Sequence, residues 1–182
     1  MNVNDIARLA QAYNFAAAKH VGQRRKGEAA EPYMNHLTEV AQLVAEATGG
    51  ADVELVMAAV LHDTVEDTDT EPEELVARFG DRVAGLVAEV TDDKSLPKQA
   101  RKDLQIQHAG GASPGAQIIK LADKTSNLRS LAGSPPPDWA IARRQEYLDW
   151  ARRVVDPCRT ANPWLACEFD RAAAELETNL KS

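Results

Sequence analysis

Cysteine is scarce in this chain. Two occur in 182 residues, Cys158 and Cys167, and their spacing is not that of a zinc site. The N-terminus shows no charged-then-apolar leader pattern, so the expectation is a reduced, cytoplasmic protein. Long apolar runs are missing as well. None approaches the roughly 20 residues that cross a bilayer, so no membrane span and no membrane partner are expected. Basic residues fall short of acidic ones, 21 Lys and Arg against 28 Asp and Glu, for a formal net charge of −7. That balance argues against a general nucleic-acid binder, which needs a broad basic surface. It leaves room for a small phosphorylated ligand held by a local basic cluster. No period-two alternation persists, no internal repeat occurs, and no glycine-rich phosphate loop follows a strand.

Helical periodicity is what the sequence does contain. Hydrophobic residues make up 44% and charged residues 27%, which suits one globular domain over residues 1–182 with a sizeable core. Ile6, Leu9, Ala10, Tyr13, Ala16 and Ala17 recur at helical spacing over residues 4–20, and His20 reads as a helix-end histidine near the carbonyl dipole. Leu37, Val40, Ala41 and Val44 mark the inner face of a second helix that Gly49-Gly50 ends. Residues 52–68 read as one central helix capped by Asp52. Further helices are expected over 73–79, 81–91, 116–132, 139–155 and 164–180, with a basic helix start after the polar linker that begins at Thr91. The fold class is all-α, a single compact bundle of about eight to ten short helices given typical helix and loop lengths.

The chemistry concentrates in Leu61-His62-Asp63-Thr64-Val65-Glu66-Asp67-Thr68, which follows the apolar run Leu55-Val56-Met57-Ala58-Ala59-Val60. On a helix, His62 and Glu66 share one face, and Asp63 and Asp67 the adjacent one. Crowded carboxylates led inward by an apolar segment call for a cation, because charges are rarely buried unless paired or metal-bound. His36, in the first turn of its helix, and Asp123, next to the apolar run Ile118-Ile119, complete a mixed nitrogen and oxygen set with His62 and Asp63. Such a set suits manganese, iron or zinc better than calcium. Glu66 and Asp67 lie one turn beyond and are placed to orient a water and move its proton. Arg25 and Lys26, in Gln23-Arg24-Arg25-Lys26-Gly27, and Lys98 read either as solvated surface or as a clamp for phosphate or base. Asn127 fits an amide that reads a hydroxyl, and Tyr147 fits either the core or a base-stacking role. The constellation reads as metal-assisted hydrolysis of a phosphate ester or anhydride.

In this order, on helices, His36, His62-Asp63 and Asp123 resemble the HD phosphohydrolase superfamily. More closely, the chain resembles the RelA/SpoT-type alarmone hydrolases, in particular their small stand-alone metazoan and bacterial members. The likeness rests on Gln23-Arg24-Arg25-Lys26, Pro32-Tyr33-Met34-Asn35-His36, Leu61 to Thr68, Val90-Thr91-Asp92-Asp93-Lys94, Leu96-Pro97-Lys98, Lys120-Leu121-Ala122-Asp123-Lys124, Asn127-Leu128-Arg129 and Glu146-Tyr147. It implies a Mn2+-dependent hydrolase that removes pyrophosphate from the 3′ position of guanosine tetra- or pentaphosphate (ppGpp or pppGpp), leaving GDP or GTP. It also implies His36, His62, Asp63 and Asp123 as metal ligands and Glu66-Asp67 as the water-activating pair. Arg25 would bracket the guanine with Lys26 beside it, Asn127 would read the ribose, and Tyr147 would face the substrate. The chain has no room for the synthetase half of the long bifunctional relatives. Two positions depart from the family: Thr125-Ser126 replaces a larger pair, and Ala100 replaces an acid before Arg101-Lys102. The other readings are a nucleotidase or NADPH phosphatase on the same scaffold, and an alarmone-binding sensor without turnover.

Overall fold

The computed structural model describes residues 3–181. Among them lie ten α-helices and one 3₁₀ helix, with no named strand. In chain order the helices are α1 Val3–Lys19, α2 Met34–Ala47, α3 Val53–Leu61, α4 Thr64–Asp67, α5 Pro72–Phe79 and α6 Asp81–Val90, followed by α7 Lys98–Ala109, α8 Pro114–Gly133, α9 Ile141–Val155 and α10 Pro163–Lys181. The 3₁₀ turn Asp156–Ala161 joins the last two. The all-α expectation is borne out.

Two buried helices organise the bundle. Helix α3 is apolar around nearly its whole circumference, and Leu55 through Leu61 are all buried. A helix without a polar face has to be enclosed, and α1, α2 and α6 pack around it. Its start is fixed by Asp52, whose carboxylate accepts the Leu55 amide at 3.1 Å and is gripped by Arg82 at 2.6 Å through two nitrogens. Helix α8 starts at Ser113, whose hydroxyl accepts the Ala116 amide, with Pro114 at its first position. It runs between α2, α6, α9 and α10 and buries Ile119, Leu121, Ala122 and Leu128.

The central helix is shorter than its periodicity predicts. Residues 52–68 do not form one helix: α3 stops at Leu61, and α4 begins at Thr64. Side chains compete there for the backbone. The Thr64 hydroxyl donates to the Leu61 carbonyl at 2.6 Å, and the His62 Nδ1 lies 2.9 Å from the Ala59 carbonyl oxygen. Asp63, at φ −99° and ψ −1°, is the bend. The helix expected over 139–155 begins instead at Ile141, and Trp139 sits in the turn before it, its amide bonded to the Pro136 carbonyl.

Candidate active site

Three helical regions bring the ligand candidates together. His36 comes from the first turn of α2, His62 and Asp63 from the α3–α4 bend, and Asp123 from the middle of α8. One donor atom each from His36, His62 and Asp123 lie within 4.8 Å of one another. The His36 Nε2 is 3.3 Å and the His62 Nε2 3.8 Å from Asp123 Oδ1. Asp63 Oδ2 lies at the edge of this triad, 3.1 Å from His62 Nε2 and 3.6 Å from His36 Nε2, and accepts the Tyr33 hydroxyl at 2.6 Å.

Both imidazoles are held with Nε2 facing the carboxylates. His62 keeps its Nδ1 proton on the Ala59 carbonyl. His36 Nδ1 lies 2.9 Å from Ser126 Oγ, and that hydroxyl donates to Glu39 Oε2 at 2.7 Å, so the ring nitrogen must be the donor. Arg129 anchors Glu39 at 3.1 Å and is itself held by Glu168 at 2.7 Å. This is the outer support expected around metal-ligating histidines. The His62 Nε2 is buried and makes no directed hydrogen bond despite the carboxylates beside it. A buried orphan nitrogen aimed at an imidazole and a carboxylate is what a divalent cation would satisfy, so the residues fit a metal. Without one, burial opposes charge on all these groups, but pairing wins. The Asp63 and Asp123 carboxylates hold His62 well above the usual imidazole range. The imidazoles hold both carboxylates well below the usual range, Lys124 adding to the effect at Asp123.

The two acids of α4 differ. Glu66 Oε2 accepts the Asp92 amide at 3.1 Å, and its other oxygen lies 3.5 Å from Arg101 Nη1. Burial, joined by the charges of Asp63, Asp92 and Asp67, pushes its pKa up to about 7 against the backbone hydrogen bond. Asp67 instead forms a short ion pair with Lys94 and accepts from Gln23 Nε2 at 3.1 Å. Gln23 Oε1 in turn sits 2.5 Å from Nδ1 of His20. His20 is buried beyond the end of α1 and stacks on Tyr33, with ring centroids 5.2 Å apart. The support given by His20, Gln23 and Tyr33 is not visible in the periodicity. Its signals were the position of Gln23 in the basic run and of Tyr33 three residues before His36.

The basic run is shaped by backbone. Arg24 and Pro32 form an antiparallel bridge, and the Arg25 amide donates to Glu31. Gly27 is needed where the loop meets the chain after α8, because a Cβ there would fall 2.2 Å from the Ser134 carbonyl oxygen. Arg25 donates to Asn127 Oδ1 at 3.1 Å, and Asn127 donates to Asp123 Oδ1 at 2.6 Å. A cavity of about 350 Å³ is lined by Arg25, Lys26, Asn127 and Tyr147. A second, of about 430 Å³, holds His62, Asp63, Glu66 and Asp123. Lys26, Tyr33, Asp67, Asn127 and Tyr147 line both. Lys98 lines neither; it borders an adjoining cavity with Lys26, Arg101 and Tyr147. Tyr147 lies between Trp139 and Trp150, at 5.9 and 5.3 Å, and burial raises its pKa to about 12, so its hydroxyl stays protonated. At the position after Ala100, Arg101 turns to Glu66.

A helical bundle with a His, His-Asp, Asp set converging from three helical regions defines the HD class of proteins. The HD-domain profile matches residues 12–149, and the chain belongs to that family. Within it, the chain is 48% identical over 159 residues to human guanosine-3′,5′-bis(diphosphate) 3′-pyrophosphohydrolase MESH1, covering 87% of this chain and 89% of that one. It is 46% identical to the Drosophila melanogaster protein of the same name, over 90% and 92% of the two chains. A solved structure of a metazoan ortholog of SpoT that hydrolyzes ppGpp superimposes with a TM-score of 0.88 at 45% identity, covering 91% of this chain and 93% of that one.

Proposed function

We propose that this protein is a metal-dependent hydrolase that removes the 3′-pyrophosphate from guanosine tetra- or pentaphosphate to give GDP or GTP and pyrophosphate. The observation that carries the reading is the shared wall. Arg25, Lys26, Asn127 and Tyr147 line a nucleotide-sized cavity that opens on the His36, His62, Asp123 and Glu66 cavity, in a chain about half identical to MESH1 over most of its length.

His36, His62 and Asp123, with Asp63 as a fourth ligand, would hold the ion, for which we favour manganese. When bound, it supplies Lewis acidity and acidifies a water near neutral pH. Glu66, poised near pH 7, takes the proton of the attacking water. The water oxygen bonds to the phosphorus that carries the ribose 3′ oxygen, and the bond from that phosphorus to the 3′ oxygen breaks. Glu66 then returns its proton to the departing oxygen, which balances the hydrolysis. Asp67, pinned by Lys94 and Gln23, orients the water. Arg25 brackets the guanine beside Tyr33, Asn127 reads the ribose, Tyr147 faces it with a protonated hydroxyl, and Lys26 and Lys98 supply positive charge to phosphates. We further infer one hydrolase domain over residues 1–182, a cytoplasmic setting, and a small nucleotide rather than a nucleic acid or membrane as partner.

The test is product analysis after incubating the protein with ppGpp, with manganese and with EDTA, alongside NADPH and ordinary 5′-nucleotides. Metal-dependent release of GDP and pyrophosphate is expected. Faster turnover of NADPH or a 5′-nucleotide would overturn the substrate, and tight ppGpp binding without product would overturn the enzyme.

A further inference from the structure

Lys120 has no part in the chemistry described so far. It lies on α8, is only 7% exposed, and lines the cavity that holds Asp63, Glu66 and Asp123. Among the described residues its ammonium has no hydrogen bond or ion pair; burial disfavours its charge, and Asp123 and Asp92 act on it only from a distance. Lys124, one turn on, differs: it is bonded to Asp123 at 2.8 Å and packed over Trp150. A buried cation without a partner is rare, and one that faces a cavity is most simply completed by an anion that enters it. Arg101 borders the same cavity from α7 with a buried Nε that also has no partner.

The register of α8 tells where such an anion would sit. Lys120, Asp123 and Asn127 follow one another at helical spacing on one face, so at about 1.5 Å per residue Lys120 is about 10 Å from Asn127 with Asp123 between. Asn127 joins the nucleoside side through Arg25. Asp123 marks the proposed metal position. Lys120 is therefore on the far side of that position from the nucleoside. A pyrophosphoryl group with its ester-side phosphorus at Asp123 directs its terminal phosphate to Lys120.

We propose that Lys120 and Arg101 form a subsite for the terminal phosphate of a pyrophosphoryl group, and that this subsite makes the enzyme prefer pyrophosphoryl to monophosphoryl esters. The proposal rests on the reading of the site as a phosphohydrolase. It adds a recognition element on the leaving side of the metal that a monophosphate cannot reach.

The test compares manganese-loaded wild type, Lys120→Met and Lys120→Arg. The readouts are kcat/KM on ppGpp and on the corresponding 3′-monophosphate, and inhibition by inorganic pyrophosphate and by inorganic phosphate. Lys120→Met should lose about 10- to 100-fold in kcat/KM on ppGpp and in pyrophosphate inhibition, the size of a charge-assisted hydrogen bond to phosphate. Turnover of the monophosphate and inhibition by phosphate should stay within about threefold, and Lys120→Arg should recover most of the loss. Equal losses on both substrates, or none on either, would overturn the subsite. Thermal melting guards against a folding defect: Lys120→Met removes an unpaired buried charge and should melt no lower than wild type. If the variant does not fold, wild type still decides the matter, because pyrophosphate must raise its melting temperature more than phosphate does. Failure of ppGpp turnover in wild type, with pyrophosphate binding still dependent on Lys120, would refute the substrate and leave the subsite standing.

Discussion

Replacing Ser126 with Ala should weaken metal binding without touching a ligand. Ser126 is buried, accepts from His36 Nδ1 at 2.9 Å and donates to Glu39 at 2.7 Å. In the variant the His36 Nδ1–H loses its acceptor. A buried donor left unpaired costs about 1–3 kcal/mol. The ligand-free protein has an escape: the His36 proton can move to Nε2, which faces Asp123 at 3.3 Å and Asp63 at 3.6 Å. A bound cation forbids that tautomer, so the cost falls on the metal-loaded state. At about 1.4 kcal/mol per tenfold, metal affinity should drop roughly 10- to 100-fold, the range seen when outer-sphere partners of ligating histidines are lost. Competition against a fluorescent chelator at pH 7 measures this directly. Glu39→Gln keeps an acceptor for the Ser126 hydroxyl but loses the charge, so its effect should fall between wild type and Ser126→Ala. A dissociation constant for Ser126→Ala within about twofold of wild type would refute the relay.

Glu66→Gln should lower kcat by about 100-fold or more while leaving metal affinity near wild type. The same variant should alter stability against pH in the metal-free protein. The folded pKa of Glu66, about 7, is raised above its unfolded value, so its contribution is fully present below the unfolded pKa and is lost as pH rises through about 7. Urea melts should show that decline in wild type and a flatter profile in the variant; parallel profiles would refute the assignment. Metal binding at pH 7 should release about one proton, because His62 sits well above its usual range in the metal-free protein and must give up its Nε2 proton to a cation. Calorimetry in buffers of different ionisation enthalpy counts it, and no buffer dependence would contradict the charged imidazole.

The helices were largely legible because burial of one face leaves a periodic trace. Leu37, Val40, Ala41 and Val44 are all buried, as their spacing implies. The break in the central helix was not legible, because the apolar period runs unbroken through Leu61. Competing bonds from Thr64 and His62 to backbone carbonyls leave no mark on that period. The metal-site candidates could be read because an apolar run ending in charge is costly unless something answers it. Their outer supports, His20, Gln23, Tyr33 and Glu39, were harder, since each works through a partner distant in sequence. Lys98 read as one more cation of the clamp, yet it borders a neighbouring cavity, a distinction made only by where α7 begins.

Distance in sequence also decides which acid moves the proton. Asp63, Glu66, Asp67 and Asp123 look alike in the chain. In the structure, Asp123 has Lys124 at 2.8 Å, Asp63 has His62 at 3.1 Å, and Asp67 is ion-paired with Lys94. Glu66 has a backbone amide at 3.1 Å and its nearest cation, Arg101, only at 3.5 Å. Burial acts on Asp63, Glu66 and Asp123 alike, so the partner decides the result. Asp63 and Asp123, with close charged partners, are held well below the usual carboxylate range, while Glu66 rises to about 7. A closer cation would hold Glu66 ionised as well and make it a poorer proton carrier. Moving one nearer, as in Gln105→Lys from α7, should therefore lower the Glu66 pKa and slow turnover together.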